Sequence, residues 1–120
     1  MLTRENILKF MKTLPDTVND YPFEGDFFTT VLRHASTKKW FGVLLNAPLK
    51  KVGIDSEGYT EVMCLKCPPD LSPFLIDNFK AVVPAYHMNK KHWISIILNG
   101  DLPEQEAQNL IALSYDLTKK

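Results

Sequence analysis

Trp93-Ile94-Ser95-Ile96-Ile97-Leu98-Asn99-Gly100-Asp101-Leu102-Pro103-Glu104 is the stretch on which the fold turns. Ile94, Ile96 and Leu98 alternate with Trp93, Ser95 and Ile97, the period of two that defines a strand with two unlike faces. Asn99-Gly100 is a strong turn signal, and Asp101 with Glu104 three residues on resembles a capping box. The helix that follows carries Ala107, Leu110, Ile111, Ser114 and Leu117 on one face, which closes the domain.

The same reading extends toward the N-terminus. Asp70 or Ser72 can cap a helix with Leu71, Phe74, Leu75 and Phe79 along one side, and Pro73 falls in its tolerant first turn. Pro68-Pro69 ends a strand running from Tyr59 to Cys67, which is preceded by the turn Asp55-Ser56-Glu57-Gly58. Lys51 to Ile54 reads as a short strand. Trp40 to Leu45 and Phe27 to His34 read as a hairpin rich in Phe, Thr and Val, with Pro48 breaking the second run. An acidic connector spans Asp16 to Asp26. Before it, Thr3 caps a helix carrying Ile7, Phe10, Met11 and Leu14, and Pro15 stops it.

Helix, strands, helix, strand, helix is an order whose connections are too short for parallel crossovers. The fold class expected is therefore α+β, an antiparallel sheet packed by helices. With 120 residues and 45% hydrophobic content, the chain can bury one core and not two, so residues 1–120 form a single domain.

Fourteen basic and fourteen acidic residues balance. This excludes a polyelectrolyte tail or a nucleic-acid coat, and leaves any anion-binding surface to a local patch. No apolar run approaches the ~20 residues that span a bilayer, so no membrane partner is expected. Met1-Leu2-Thr3-Arg4-Glu5 opens a capped helix rather than a signal peptide, from which a cytoplasmic location is expected.

Cys64-Leu65-Lys66-Cys67 has the spacing of a zinc or redox pair, but there is no second pair of ligands and Cys64 falls within a strand. The two read as ordinary thiols. His34 is remote from His87 and His92, which lack an H-E-x-x-H pattern, so no metal and no cofactor are expected. Nucleophile elbow, phosphate loop and dinucleotide fingerprint are all missing from the sequence, and no enzymatic activity is expected.

The segment Pro84-Ala85-Tyr86-His87-Met88-Asn89-Lys90-Lys91-His92-Trp93 combines paired lysines, two imidazoles, an amide and two aromatic rings. Charge, hydrogen-bond donors and stacking surfaces coincide there. Together with Asn99-Gly100-Asp101-Leu102-Pro103 and Ser114-Tyr115-Asp116, it resembles the signature of the MmcQ/YjbR family. Tyr21-Pro22-Phe23, Lys39-Trp40-Phe41 and Leu65-Lys66-Cys67-Pro68 extend the resemblance over nearly the whole chain. Glu24 stands where members often have the glycine of Tyr-Pro-Phe-Gly. The resemblance implies a small CyaY-like, two-layer domain and a double-wing, DNA-binding role. It implies no iron chemistry, since the first helix lacks a dense acidic ridge.

From Arg33 to His92 nine basic residues stand against five acidic ones, an excess of four that permits a basic face built from the hairpin turn, the Lys50-Lys51 loop and the Lys90-Lys91 loop. Two functions follow. In the first the chain binds DNA non-specifically, with Lys39, Lys90 and Lys91 on phosphates, His87, Asn89 and His92 donating hydrogen bonds, and Trp93 stacking on a base if it shares the outer face with Ser95. In the second, 84–93 is a structural latch with His92 and Trp93 buried, and a protein or small ligand binds elsewhere on a monomer or weak dimer.

Overall fold

The computed structural model describes residues 2–120, leaving Met1 outside. The elements are α1 (Arg4–Met11), β1 (Thr17–Asp20), β2 (Thr30–His34), β3 (Trp40–Pro48), a 3-10 turn (Leu49–Val52), β4 (Tyr59–Lys66), α2 (Ser72–Asn78), β5 (Val82–Pro84), β6 (Trp93–Ile97) and α3 (Glu104–Leu117). The six strands form one sheet in the order β1-β2-β3-β4-β6-β5, every neighbouring pair antiparallel. The α+β expectation holds.

One face of the sheet carries the main core. A row of paired residues, Leu44, Met63, Ile96 and Val82, crosses four strands, and α1 (Ile7, Met11), α2 (Leu75) and α3 (Ala107, Leu110, Ile111) cover it. Gly42 makes room in the next row, since a Cβ there would stand 2.9 Å from Leu32 Cδ1. The opposite face holds a smaller cluster of Val31, Val43, Ala47, Val62 and Cys64, roofed by Val52 of the 3-10 turn and by no α-helix. Burial of both faces explains why β4 reads Val62-Met63-Cys64-Leu65 without polar alternation.

A bulge separates the two clusters at a decisive point. Leu32 pairs with Gly42 while Arg33 pairs with Trp40, so Phe41 has no partner across the ladder. The extra residue breaks the alternation. Phe41 drops into the main core, and Trp40 packs on the helix-free face.

Several local expectations are corrected. Lys51 to Ile54 is not a strand: Leu49–Val52 turns as a 3-10 helix closed by Gly53 in the left-handed region. The Asp16 to Asp26 connector contains edge strand β1, which a four-residue, mostly polar run does not announce. The Phe27 to His34 strand begins only at Thr30, because the Asp26 carboxylate accepts the amides of Phe28 and Thr29 and holds Phe27-Phe28 as a turn. Strand β5 goes unseen in the sequence because three residues carry no period. Neither Asp70 nor Ser72 caps α2; Leu71 occupies that position and Ser72 Oγ donates to the carbonyl of Pro68. Leu117, expected on the buried face of α3, is 44% exposed.

The turn before α3 is likewise no capping box. Pro103 is the N-cap, and the Asp101 carboxylate accepts the backbone amides of Lys80 (2.9 Å) and Ala81 (2.8 Å). These hydrogen bonds hold the carboxyl of Asp101 below its ordinary pKa. Gly100 lies so close to the same segment that a Cβ would meet Ala81 Cβ at 2.5 Å. Asn99-Gly100-Asp101 therefore clamps the approach to β5 onto the start of α3. Ser114 works in a similar way: its hydroxyl donates to the carbonyl of Phe41 at 2.6 Å and accepts the amide of Lys66 at 2.9 Å, tying α3 to the ends of β3 and β4.

Candidate functional site

Two adjoining hollows lie on the helix-free face, and a third opens beside them at the end of the sheet, where the C-terminus of α3 forms part of its wall. At the end of the sheet where β3 and β6 begin, a hollow of about 430 Å³ is lined by Lys39, Trp40, Lys66 and Trp93 and, from the C-terminal end of α3, by Leu117, Thr118 and Lys120. Lys66 and Trp93 are directly paired across β4 and β6, so register puts both residues in the lining of this hollow. A second hollow of about 350 Å³ shares Trp40 with the first; its floor is Val43, Leu45 and Cys64, and its walls include Phe23, Tyr86 and His87. A third, about 680 Å³, shares Tyr86 and His87 with the second and adds Lys51 and Lys90. The shared walls make one track, basic at each end and aromatic in the middle.

Two loops from opposite edges of the sheet build the middle. Phe23 comes from the β1–β2 loop and meets Trp40 edge to face, with centroids 6.3 Å apart. That loop is fastened by Asp26, whose carboxylate also accepts the Thr29 hydroxyl at 2.6 Å; this bond and the amide bonds lower its pKa. Tyr86 and His87 come from the loop between β5 and β6, their rings 4.0 Å apart. The Tyr86 amide donates to Ser95 Oγ at 2.8 Å, and the same hydroxyl contacts Cys64 Sγ at 3.1 Å. His87 is held at φ 62°, a left-handed conformation that costs a non-glycine residue energy and persists where its surroundings impose it.

The residues singled out in 84–93 divide into two sets. Lys39, His87, Lys90 and Trp93 line the track. Asn89, Lys91 and His92 do not. The Asn89 side-chain oxygen accepts the amides of Lys91 (2.9 Å) and His92 (3.1 Å), so it shapes the loop. Lys90 Nζ donates to the carbonyl of Ala85 at 2.8 Å, closing the same loop from the other side. Lys91 and His92 are exposed beside it. Asn89 and Lys90 brace the loop, whereas the burial that the latch reading expects is not seen, because His92 is exposed and Trp93 half-buried. Trp93 joins neither apolar cluster.

Phe23, Trp40, Lys66 and Lys120 complete the track without having been singled out as binding residues, whereas Lys51 comes from the Lys50-Lys51 loop of the expected basic face and Tyr86 from the 84–93 segment. Trp40 could not be assigned a face from sequence because the bulge at Phe41 resets the alternation. Lys66 is visible only through its register with Trp93. Both cysteines are free and buried; burial pushes both thiols above their ordinary pKa. Among the described residues no group of three His, Cys, Asp or Glu side chains is placed to hold a metal ion, and no helix is long and apolar enough to cross a membrane.

An antiparallel α+β domain with helices on one face and a basic and aromatic track on the other is the class that fold and site define. Comparison with known proteins places it further. The YjbR family model matches residues 12–117. The Bacillus subtilis (strain 168) protein YyaQ is 46% identical over 119 residues, 99% of this chain and 100% of that protein. Escherichia coli K12 YjbR is 37% identical over 51 residues, 42% of this chain and 43% of that protein. A crystal structure of a Pseudomonas syringae protein superposes with a TM-score of 0.90 at 36% identity, covering 98% of this chain and 99% of that one. This chain belongs to the YjbR family.

Proposed function

We propose that this protein binds nucleic acid along the helix-free face of its sheet, in the track running from Lys39, Lys66 and Lys120 past Trp40 to Lys51 and Lys90. The observation that carries the reading is the sharing of walls: Trp40 belongs to both the basic and the aromatic hollow, and His87 to both the aromatic and the second basic hollow. Lysines at both ends match a phosphate backbone, and aromatic side chains between them match base faces. The interaction is a non-specific one. It rests on phosphate charge and stacking, neither of which reads base identity.

The test is a fluorescence-anisotropy titration of a labelled 12-nucleotide thymine strand at low salt. The Lys39→Ala, Lys66→Ala double variant should bind at least tenfold more weakly while keeping the wild-type melting temperature. Equal affinity in the two proteins would remove the track from consideration.

A second reading has one observation in its favour. Phe27 is 87% exposed, with Tyr21 and Phe23 close by in sequence at 47% and 45%. Exposed aromatics of this kind favour a protein partner on the β1–β2 loop. Phe27→Ser separates the two readings, because strand binding along the track survives that change.

A further inference from the structure

We infer that the middle hollow seats one unstacked nucleobase, so that the occupant of the track is a single strand, or an unpaired stretch, and not a duplex. The inference rests on the nucleic-acid reading and deepens it. Four rings, Phe23, Trp40, Tyr86 and His87, stand around an apolar floor. Stacking platforms of this kind accept any base, because every base has a π-face. The volume, about 350 Å³, lies at the low end for small-molecule pockets and suits one ring system rather than an extended cofactor.

Trp40, Tyr86 and His87 each carry a polar group on the ring, so the residues lining this hollow could offer hydrogen bonds to a base edge as well as faces to stack on. The wall is also set in advance. Ser95 holds the Tyr86 amide, Lys90 and Asn89 close the loop that carries His87, and Asp26 fastens the loop that carries Phe23. A preformed pocket loses less conformational freedom on binding. In a duplex the base faces are stacked on one another and cannot enter such a pocket, while a strand lying along the lysines on either side can turn one base inward.

Three probes test this by anisotropy on the wild-type protein: a 12-nucleotide thymine strand, the same strand with every base replaced by a tetrahydrofuran abasic unit, and a 12-base-pair duplex. The thymine strand should bind about 5- to 150-fold more tightly than the abasic strand, the span expected when one stacked base is lost. Tyr86→Leu should abolish that difference and leave the abasic affinity unchanged. If thymine and abasic strands bind equally, the pocket takes no base although the lysine track stands. If neither strand binds, both readings fall together. Tighter binding of the duplex than of the thymine strand overturns the single-strand assignment. Thymidine monophosphate as competitor separates a strand from a free nucleotide: displacement only at millimolar concentration supports a strand, and displacement at micromolar concentration overturns it as the occupant.

Discussion

Removing one lysine from each end of the track should change the salt dependence of binding additively, by an amount that can be worked out beforehand. Five lysines line the two basic hollows, Lys39, Lys66 and Lys120 at one end and Lys51 and Lys90 at the other. Lys90 Nζ already donates to the Ala85 carbonyl, which leaves four to neutralise phosphates. Each phosphate contact on a single strand contributes about −0.7 to the slope of log K against log salt, so the wild type should show a slope near −2.8 and lose about 50-fold in affinity between 50 and 200 mM salt. Lys39→Ala and Lys51→Ala should each give a slope near −2.1, an ~18-fold loss over that range, and the double variant about −1.4, an ~7-fold loss. Anisotropy of a labelled thymine strand across a potassium chloride series reads all four slopes. A Lys51→Ala slope equal to that of the wild type would end the track at the aromatic hollow, and a wild-type slope near zero would refute the electrostatic argument altogether.

Other expectations concern the frame that holds the track. Gly100→Ala forces a methyl to within 2.5 Å of Ala81 Cβ and 3.3 Å of the Ile97 carbonyl; overpacking of that kind costs ~1–3 kcal/mol, which thermal unfolding should report as a drop of ~4–12 °C. Ser114→Ala leaves the carbonyl of Phe41 and the amide of Lys66 without their partner, for ~2–4 kcal/mol, and denaturant titration should show a lower midpoint at unchanged m-value. His34, buried between Phe41 and Tyr115 with Nε2 2.8 Å from Thr118 Oγ1, has its pKa lowered chiefly by burial. The unfolded chain then binds a proton more readily than the folded one, so His34's contribution is complete above the ordinary histidine pKa of about 6.5 and is lost as pH falls below it. Melting temperature should decline from pH 7 to pH 5, and His34→Gln should flatten that decline. Cys64 and Cys67 should react with a thiol reagent at pH 7 only after denaturant is added; rapid labelling of either in the native protein would contradict their burial.

The sequence disclosed the parts of this fold that carry a period or a cap. The alternation over Trp93 to Ile97, the Thr3 cap of α1 and the stripe of α3 from Ala107 to Ser114 all stand in the structure, Leu117 alone lying outside it. Segments too short for a period were not legible, which is why β1 and β5 were missed and the 3-10 turn was read as a strand. Motif residues were legible as signature and not as mechanism. Asn99-Gly100-Asp101 and Ser114 turn out to join backbone segments distant in sequence, and a clamp of that kind is defined only by the tertiary contacts it makes. The track was half visible. Lys39, His87, Lys90 and Trp93 stood out because they cluster in mixed polar and aromatic runs, whereas Trp40 and Lys66 depend on a bulge and a strand register that no local pattern encodes.

Trp40 and Trp93 are the two tryptophans of the chain, and both line the track. Their indole N–H groups should give two signals in a nitrogen–proton correlation spectrum, which makes them reporters placed on the surface in question. Titration of the 15N-labelled protein with the 12-nucleotide thymine strand should move both indole signals together, with backbone shifts concentrated at Lys39, Lys66, Tyr86 and His87. Saturable binding that leaves both indole signals in place, with shifts gathered instead on α1, α2 or the first turns of α3, would contradict the assignment of the track.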